Sequence, residues 1–176
     1  MRVVAGTLGG RRLVAPPSGN GPATTRPTTD KVREAVFNAL QSRQPLEDLT
    51  VVDLFAGSGA LGIEALSRGA GHCTFVERDR RALDALRTNL QQLGLTGRAT
   101  VVAGDVMARV GSLPACDLVL ADPPYDFDAW ASLLAVIEAH TVVAESDRPL
   151  DGDERWEVLR TRAYGRTWVT WLHRVP

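Results

Sequence analysis

A glycine-rich segment that follows an acidic residue is the first part of the chain that could do chemistry. It runs Asp53-Leu-Phe-Ala-Gly-Ser-Gly-Ala-Leu-Gly62 and contains GSGALG, which fits the G-x-G-x-x-G pattern of dinucleotide-binding turns. Such a turn lets a ligand approach backbone N–H groups at the start of a helix. A carboxylate at Asp53 would repel a pyrophosphate and attract an ammonium group. We therefore expect a ligand that carries a positive charge.

Two further acidic residues close the next two apolar segments. Glu77 is placed to accept hydrogen bonds from both hydroxyls of a ribose, and Asp105 from an adenine amino group. Each acid taken singly could instead cap a helix or form a turn. Together with Asp53 they favour S-adenosylmethionine, which combines an adenosine with the ammonium group of methionine. NAD is the alternative cofactor for GSGALG, but it leaves Asp53 unexplained.

The segment Asp122-Pro-Pro-Tyr125 presents hydrogen-bond acceptors only. Its prolines hold the backbone extended and remove two N–H donors. The Asp122 carboxylate and a backbone carbonyl could hold both hydrogens of a planar exocyclic amine while Tyr125 stacks on the base. Adenine N6, cytosine N4 and guanine N2 fit equally, in DNA or RNA, and a paired base would have to be flipped out. The alternative is an ordinary strand-ending turn with a packed aromatic residue.

Hydrophobic spacing predicts the elements that position these residues. A glycine-bent hairpin over 3–13 and a loop over 16–27 precede a helix that Thr28 or Thr29 can cap, whose first turn carries Asp30 and which ends before Pro45. Strands then alternate with helices, which predicts a parallel sheet covered on both faces, and 155–173 form an antiparallel hairpin. The predicted strands are 50–55, 73–76, 99–103, 117–121 and a short 141–144; the predicted helices are 60–67, 80–93 and 127–139.

Length and composition bound the class of protein. The chain has 176 residues, which suits one domain, and no apolar run approaches the roughly 20 residues that cross a bilayer. We expect a cytoplasmic protein with no membrane association. Cys73 and Cys116 lie in apolar segments and are expected to be buried and reduced. The three histidines are scattered, so no metal site is predicted.

Charge is unevenly distributed along the chain. The net charge of −1 argues against nonspecific coating of nucleic acid, yet the first 33 residues hold six basic residues against one acid, Asp30. A phosphate-contacting surface and a solvated basic end explain this excess equally well. The basic residues are Arg2, Arg11, Arg12, Arg26, Lys31 and Arg33.

Several segments, spread over nearly the whole chain, carry a family resemblance. They are 2–6, 10–13, the block Arg26-Pro-Thr-Thr-Asp-Lys-Val-Arg-Glu-Ala-Val-Phe-Asn38, 53–62, 64–70, Gly104-Asp105 and 122–125. Together they resemble the RsmD family, the bacterial methyltransferases that modify guanine N2 in 16S ribosomal RNA. The block over 26–38 and the N-terminal hairpin are the specific part, because the other motifs occur throughout the superfamily.

The resemblance implies roles for individual residues. Asp122, Pro123 and Tyr125 would grip the guanine as catalytic residues, and the six basic residues named above would contact ribosomal RNA. The cofactor, S-adenosyl-L-methionine, would lie among Asp53, Phe55, Gly57, Ser58, Gly59, Glu77, Arg78, Asp105, Val106 and Asp122.

The predicted fold is α/β, the Rossmann-like fold of class I S-adenosylmethionine-dependent methyltransferases. It has a mostly parallel seven-stranded sheet with a C-terminal antiparallel hairpin, and a small N-terminal extension of hairpin and helix. We expect residues 1–45 to form the RNA-contacting extension and residues 46–176 the catalytic domain. The chain departs from the family pattern before 141–147, where a glycine-containing turn is absent, so a shortened fifth strand is expected.

The predicted function is S-adenosylmethionine-dependent methylation of guanine N2 in 16S ribosomal RNA, within the small ribosomal subunit or its precursor, by a monomer. Methylation of an exocyclic base amine in another RNA or in DNA is the first alternative. An NAD-dependent oxidoreductase built on GSGALG is the second, and a ribosome-binding module that has lost catalysis is the third.

Overall fold

The computed structural model describes residues 1–16 and 30–176. The predictions for Arg26 and for the capping residues Thr28 and Thr29 lie outside the described residues.

A seven-stranded sheet forms the centre of the protein, with strand order β3-β2-β1-β4-β5-β7-β6. Strands β1 to β5 run parallel, β7 pairs antiparallel with β5, and β6 pairs antiparallel with β7. The strands are β1 (Thr50–Leu54), β2 (His72–Glu77), β3 (Ala99–Ala103), β4 (Cys116–Ala121), β5 (Ala139–Ser146), β6 (Trp156–Tyr164) and β7 (Thr167–Arg174). The predicted mostly parallel sheet with a C-terminal antiparallel hairpin is confirmed.

Helix α1 (Asp30–Gln41) precedes β1, and the other helices connect successive parallel strands. They are α2 (Ala60–Ser67), α3 (Arg80–Gln92), α4 (Val106–Arg109) and α5 (Trp130–Val136). In the described part of the chain, none of these helices is both long and apolar enough to cross a membrane.

The core consists of two hydrophobic clusters on opposite faces of the sheet. Successive side chains of a strand point to opposite faces, so Val51 joins the cluster beneath α1 and α2, whereas Val52 joins the cluster beneath α5. Cys73 and Cys116 are free and buried in these clusters, as predicted. Burial on both faces explains why the central strands are nearly continuous apolar runs in the sequence.

The N-terminal segment folds back on itself and packs on the first face. A single antiparallel bridge joins Arg2 to Arg12, and the backbone N–H of Val3 donates to the Arg11 carbonyl at 2.9 Å. The predicted hairpin is therefore present, although it lacks regular strands. Val3 and Leu13 are buried in the same cluster as α1, so the extension shares the core of the sheet.

Two predictions near the C-terminal half are wrong. The helix predicted over 127–139 spans only Trp130–Val136, and the fifth strand is not shortened, because β5 runs eight residues from Ala139 to Ser146. Apolar helical spacing continues through Ile137, but pairing with β4 on one side and β7 on the other draws the following residues into the sheet. The final hairpin closes over two residues, Gly165 and Arg166, since Tyr164 pairs directly with Thr167.

Candidate active site

The parallel register brings the predicted site residues to one edge of the sheet. Leu54 of β1 pairs with Val76 on β2 and with Ala121 on β4. The next residues on those two strands, Glu77 and Asp122, therefore lie at the same level on either side of β1. Asp105 follows the end of β3, the next strand outward. The acidic residues that the sequence singled out therefore share the carboxyl edge, where open α/β sheets bind their ligands.

The turn between β1 and α2 uses an unusual backbone conformation. Phe55 has φ of 60°, Gly57 of 57° and Gly59 of 85°, all in the left-handed region. A bulky residue such as Phe55 rarely adopts this region, and residues held there are concentrated at functional sites. A Cβ built on Gly57 would meet no atom of residues 1–16 or 30–176 within 4 Å, so these residues leave open space over this part of the turn.

The other glycines of the motif are needed for packing. A Cβ on Gly59 would come within 2.4 Å of Leu86 Cδ1, and one on Gly62 within 2.4 Å of Phe75 Cε1. These glycines let α2 lie close to β2 and α3. Among the three glycines of the motif, only Gly57 combines a positive φ with open space in the described structure.

Asp53 is a buried carboxylate at the end of β1. It is 1% exposed, and its Oδ2 accepts a hydrogen bond of 2.8 Å from the Gly62 backbone N–H. The pKa of Asp53 is raised to about 8, chiefly because burial disfavours the charged form and also because the carboxylates of Asp122 and Glu77 lie nearby, and the Gly62 bond opposes this rise. A positively charged group beside Asp53 would relieve this unfavourable environment.

Glu77 is held by backbone N–H groups on both sides of the site. Its Oε2 accepts from Gly57 at 2.8 Å, and its Oε1 accepts from Arg78 at 2.7 Å and Asp79 at 2.8 Å. The carboxylate therefore ties the end of β2 to the glycine turn. Since two carboxylate oxygens offer about four lone-pair sites, one site on Oε2 is left for a ligand hydroxyl.

Asp105 takes the capping role that the sequence left as an alternative. Its Oδ1 accepts from Met107 N–H at 2.9 Å and from Ala108 N–H at 3.3 Å, at the start of α4. Its Oδ2 lies 3.2 Å from Nη1 of Arg78 in an exposed ion pair, and Val106 is buried beneath it. The predicted contact of Asp105 with an adenine stays a prediction.

The Asp-Pro-Pro-Tyr turn projects from the end of β4. Asp122 is half-buried, and the Phe127 backbone N–H donates to the Pro124 carbonyl at 3.0 Å. In the described residues, no hydrogen bond uses the Pro123 carbonyl. Tyr125 is 51% exposed, which leaves much of its ring available for stacking.

Aromatic contacts that the sequence analysis did not predict support this turn. Phe55 and Phe127 pack edge to face with ring centroids 5.1 Å apart, and Phe127 packs against Trp130 in the same way at 5.2 Å. Phe55 therefore links the glycine turn to the segment after Tyr125. The presence of an aromatic residue near each turn was the available signal for this contact.

The predicted RNA-contacting residues divide into two groups. Arg2, Arg11, Arg12 and Lys31 are exposed. Arg33 is fully buried, in place of the predicted phosphate contact. Its guanidinium bonds to the Arg2 carbonyl and to Oδ1 of Asp30, at 2.8 Å for the carboxylate.

A buried glutamate explains the position of Arg33. Glu64 on α2 accepts from Arg68 Nε at 2.7 Å and lies 3.7 Å from Arg33 Nε. It also accepts from the backbone N–H groups of Val4 at 2.7 Å and Ala5 at 3.0 Å. Glu64 thus joins the N-terminal segment, α1 and α2. An acidic residue within the apolar segment Leu61 to Leu66 was the signal that could have found it.

With this geometry in place, comparison with known proteins decides the family. The model of the family described as conserved hypothetical protein 95 matches residues 1–173. The chain belongs to this family. It is the RsmD family, so the resemblance found in the sequence is confirmed.

Members of the RsmD family resemble the chain over most of its length. The chain is 38% identical to "Putative rRNA methyltransferase YlbH" of Bacillus subtilis, with 96% of both proteins covered. It is 34% identical to "Ribosomal RNA small subunit methyltransferase D" of Haemophilus influenzae, over 94% of this chain and 89% of that protein.

A solved structure of similar sequence agrees with the fold. "Putative methyltransferase yhhF" from Escherichia coli superposes with a TM-score of 0.85 at 31% identity, and the match covers 99% of this chain and 97% of the other. The protein therefore has the predicted fold of S-adenosylmethionine-dependent methyltransferases. The dinucleotide interpretation of GSGALG receives no support.

Proposed function

We propose that this protein transfers a methyl group from S-adenosylmethionine to the exocyclic N2 amine of a guanine in 16S ribosomal RNA. The observation that carries the proposal is the position of the turn 122–125, whose two prolines have no N–H donor, at the same sheet edge as the glycine turn 55–59. The relative from Haemophilus influenzae supports the choice of substrate, because its name assigns that protein to small-subunit ribosomal RNA.

The residues at the sheet edge fit this cofactor. The space over Gly57 admits a ligand against the backbone, and the carboxylate of Asp53 suits the methionine ammonium group. Glu77 suits a ribose hydroxyl, and Asp105 with Val106 would border the adenine. When bound, the cofactor supplies an electrophilic methyl group on a sulfonium sulfur.

The chain itself positions the nucleophile. An exocyclic amine is a weak nucleophile because its lone pair is delocalised into the ring. The Asp122 carboxylate and the Pro123 carbonyl accept its two N–H groups and orient the lone pair, while Tyr125 stacks on the base. A carboxylate or water is basic enough to take the proton, because the amine becomes acidic only after methylation.

The N-terminal extension is proposed to contact the RNA. Exposed Arg2, Arg11, Arg12 and Lys31 lie on it, and Arg26 belongs to the same basic sequence. Residues 1–45 would then form the RNA-contacting part and residues 46–176 the catalytic part of a cytoplasmic monomer. The substrate would be the small ribosomal subunit or its precursor.

Methyl transfer to ribosomal particles tests the proposal. Small subunits from cells that lack the protein are incubated with labelled S-adenosylmethionine, and the modified nucleoside is identified. We expect N2-methylguanosine with the wild-type protein, none with Asp122→Ala, and undiminished product with Asp126→Ala, which alters an exposed neighbouring carboxylate. Label on another base, or none despite cofactor binding, contradicts the proposed substrate.

A further inference from the structure

The tip of the C-terminal hairpin adjoins the proposed catalytic turn. The hydroxyl of Tyr125 donates to the backbone carbonyl of Arg166 at 3.3 Å, across 41 positions of sequence. Arg166 is exposed at this tip. A nucleic acid strand whose base reaches Tyr125 must therefore pass close to β6 and β7.

This hairpin carries arginines without acidic partners. Within 156–174 the only acidic residue is Glu157, and among the described residues no carboxylate forms an ion pair with Arg160, Arg162 or Arg166. Residues 17–29 contain no aspartate or glutamate that could supply one. By contrast, Arg174 at the far end of β7 is paired with Glu138 at 3.4 Å.

Two of these guanidinium groups lie over aromatic rings. The guanidinium of Arg160 is 5.5 Å from the ring centre of Trp171, and that of Arg162 is 5.2 Å from the ring centre of Tyr164. Stacking holds a guanidinium in place while its N–H groups stay directed outward, where they match a phosphate. These arginines are therefore preorganised for an anionic ligand.

The two stacked arginines share the face of the sheet on which the N-terminal extension packs. Arg160 pairs with Trp171 and Arg162 with Val169, and both partners belong to the cluster that contains Val3. Arg160 and Arg162 are about 7 Å apart along β6, at about 3.4 Å per residue. Arg160 and Arg162 thus lie on the same face of the sheet as the N-terminal extension.

We propose that Arg160, Arg162 and Arg166, here called the hairpin arginines, bind phosphates of the RNA segment that leads to the base at Tyr125. This inference rests on the proposed function. RNA fits better than an acidic protein, because two of the arginines lie over aromatic rings and the third lies beside the exposed ring of Tyr125, the combination that binds single-stranded nucleic acid.

Salt-dependent binding tests the inference. The variant Arg160→Gln/Arg162→Gln is compared with Arg81→Gln/Arg87→Gln, which removes two exposed charges from α3 near the opposite edge of the sheet. The probe is a synthetic RNA hairpin with unpaired guanosines in its loop. Binding of S-adenosylmethionine is measured on each variant as a check of folding, and transfer to small subunits is assayed separately.

We expect the hairpin variant to bind the RNA about tenfold more weakly, with the slope of log Kd against log salt reduced by about 1.5, as for two lost phosphate contacts. KM for small subunits should rise while kcat changes little. The α3 variant should behave as wild type. Arg160→Lys/Arg162→Lys keeps both charges and should restore the salt slope.

The outcomes separate the two proposals. If wild-type protein methylates guanine N2 and the hairpin variant binds RNA as the α3 variant does, the inference is wrong and the proposed function stands. If the hairpin variant loses RNA affinity but wild-type protein forms no N2-methylguanosine, the RNA surface stands and the proposed function fails. Wild-type protein that shows no salt-dependent RNA binding overturns the inference.

Discussion

The backbone N–H of Gly62 donates a hydrogen bond of 2.8 Å to Oδ2 of Asp53, which joins the end of β1 to the first turn of α2. This bond requires α2 to lie close to the sheet, and a Cβ on Gly62 would collide with Phe75 and Cys73. Asp53, the acid before the motif, and Gly62, its last glycine, are therefore held together. Gly57, which faces the proposed ligand space, lies between them in the sequence.

The free energy of unfolding should depend on pH through Asp53. Folding raises its pKa from 3.8 to about 8, so between these values the folded protein holds a proton that the unfolded chain has released. The free energy of unfolding therefore falls as pH rises from about 4 to about 8. Urea denaturation across this window should show a weaker decline in Asp53→Asn. Parallel pH profiles of the two proteins would contradict this.

Binding of S-adenosylmethionine should release a proton. Below pH 8 Asp53 of the free protein is mostly protonated, and an ammonium group beside it favours the ionised form. Affinity should therefore increase as pH rises toward 8. Titration calorimetry in buffers of different ionisation enthalpy measures the released proton, and Asp53→Asn should abolish the release. A wild-type binding heat that is the same in all buffers would exclude the proposed contact.

Alanine at two glycines of the motif should have different effects. Gly57→Ala places a side chain at φ of 57° in open space, which costs about 1–2 kcal/mol of stability but obstructs the cofactor. Gly59→Ala adds a clash with Leu86 to similar strain, about 1–3 kcal/mol more. Denaturation and cofactor binding measured on both variants check this. Equal stability of the two variants would contradict the packing role of Gly59.

Removal of Arg33 should lower stability. Arg33→Ala leaves Glu64 without one buried partner and breaks the contact between α1 and the N-terminal segment, for a loss of about 3 kcal/mol. Lys31→Ala, on the exposed side of the same helix, should leave Tm unchanged. Thermal unfolding distinguishes the two. If Arg33→Ala keeps the wild-type Tm but loses RNA affinity, the structural role of Arg33 is contradicted and the phosphate contact predicted from the sequence is supported.

The ring of Tyr125 should matter more than its hydroxyl. Tyr125→Phe removes only the exposed hydrogen bond to the Arg166 carbonyl and should lower kcat/KM less than about threefold. Tyr125→Ala removes the stacking surface, worth about 1–3 kcal/mol per base, and should lower kcat/KM by about tenfold to a hundredfold. Steady-state methylation of small subunits gives both values. Similar losses in the two variants would indicate that the hydroxyl carries the role.

The sequence by itself determined the elements whose signals are local. Helix α2 and strand β3 have the predicted bounds, 60–67 and 99–103, because apolar periodicity and glycines mark their ends within a few residues. The parallel order also followed from local patterns, since strands alternate with helices. Once the sheet is parallel, the acids that end β1, β2 and β4 must meet at one edge.

Only the tertiary structure decided what depends on partners far apart in the chain. Arg33 belongs to a basic stretch that predicts exposure, yet Glu64 on another helix buries it. Strand β5 begins at Ala139, the last residue of the predicted helix, and runs to Ser146, because β4 and β7 pair with it on both sides. The contact of Tyr125 with Arg166 likewise joins a turn and a hairpin. Local propensity cannot reveal these contacts, because their energy arises only when the whole fold has brought both partners together.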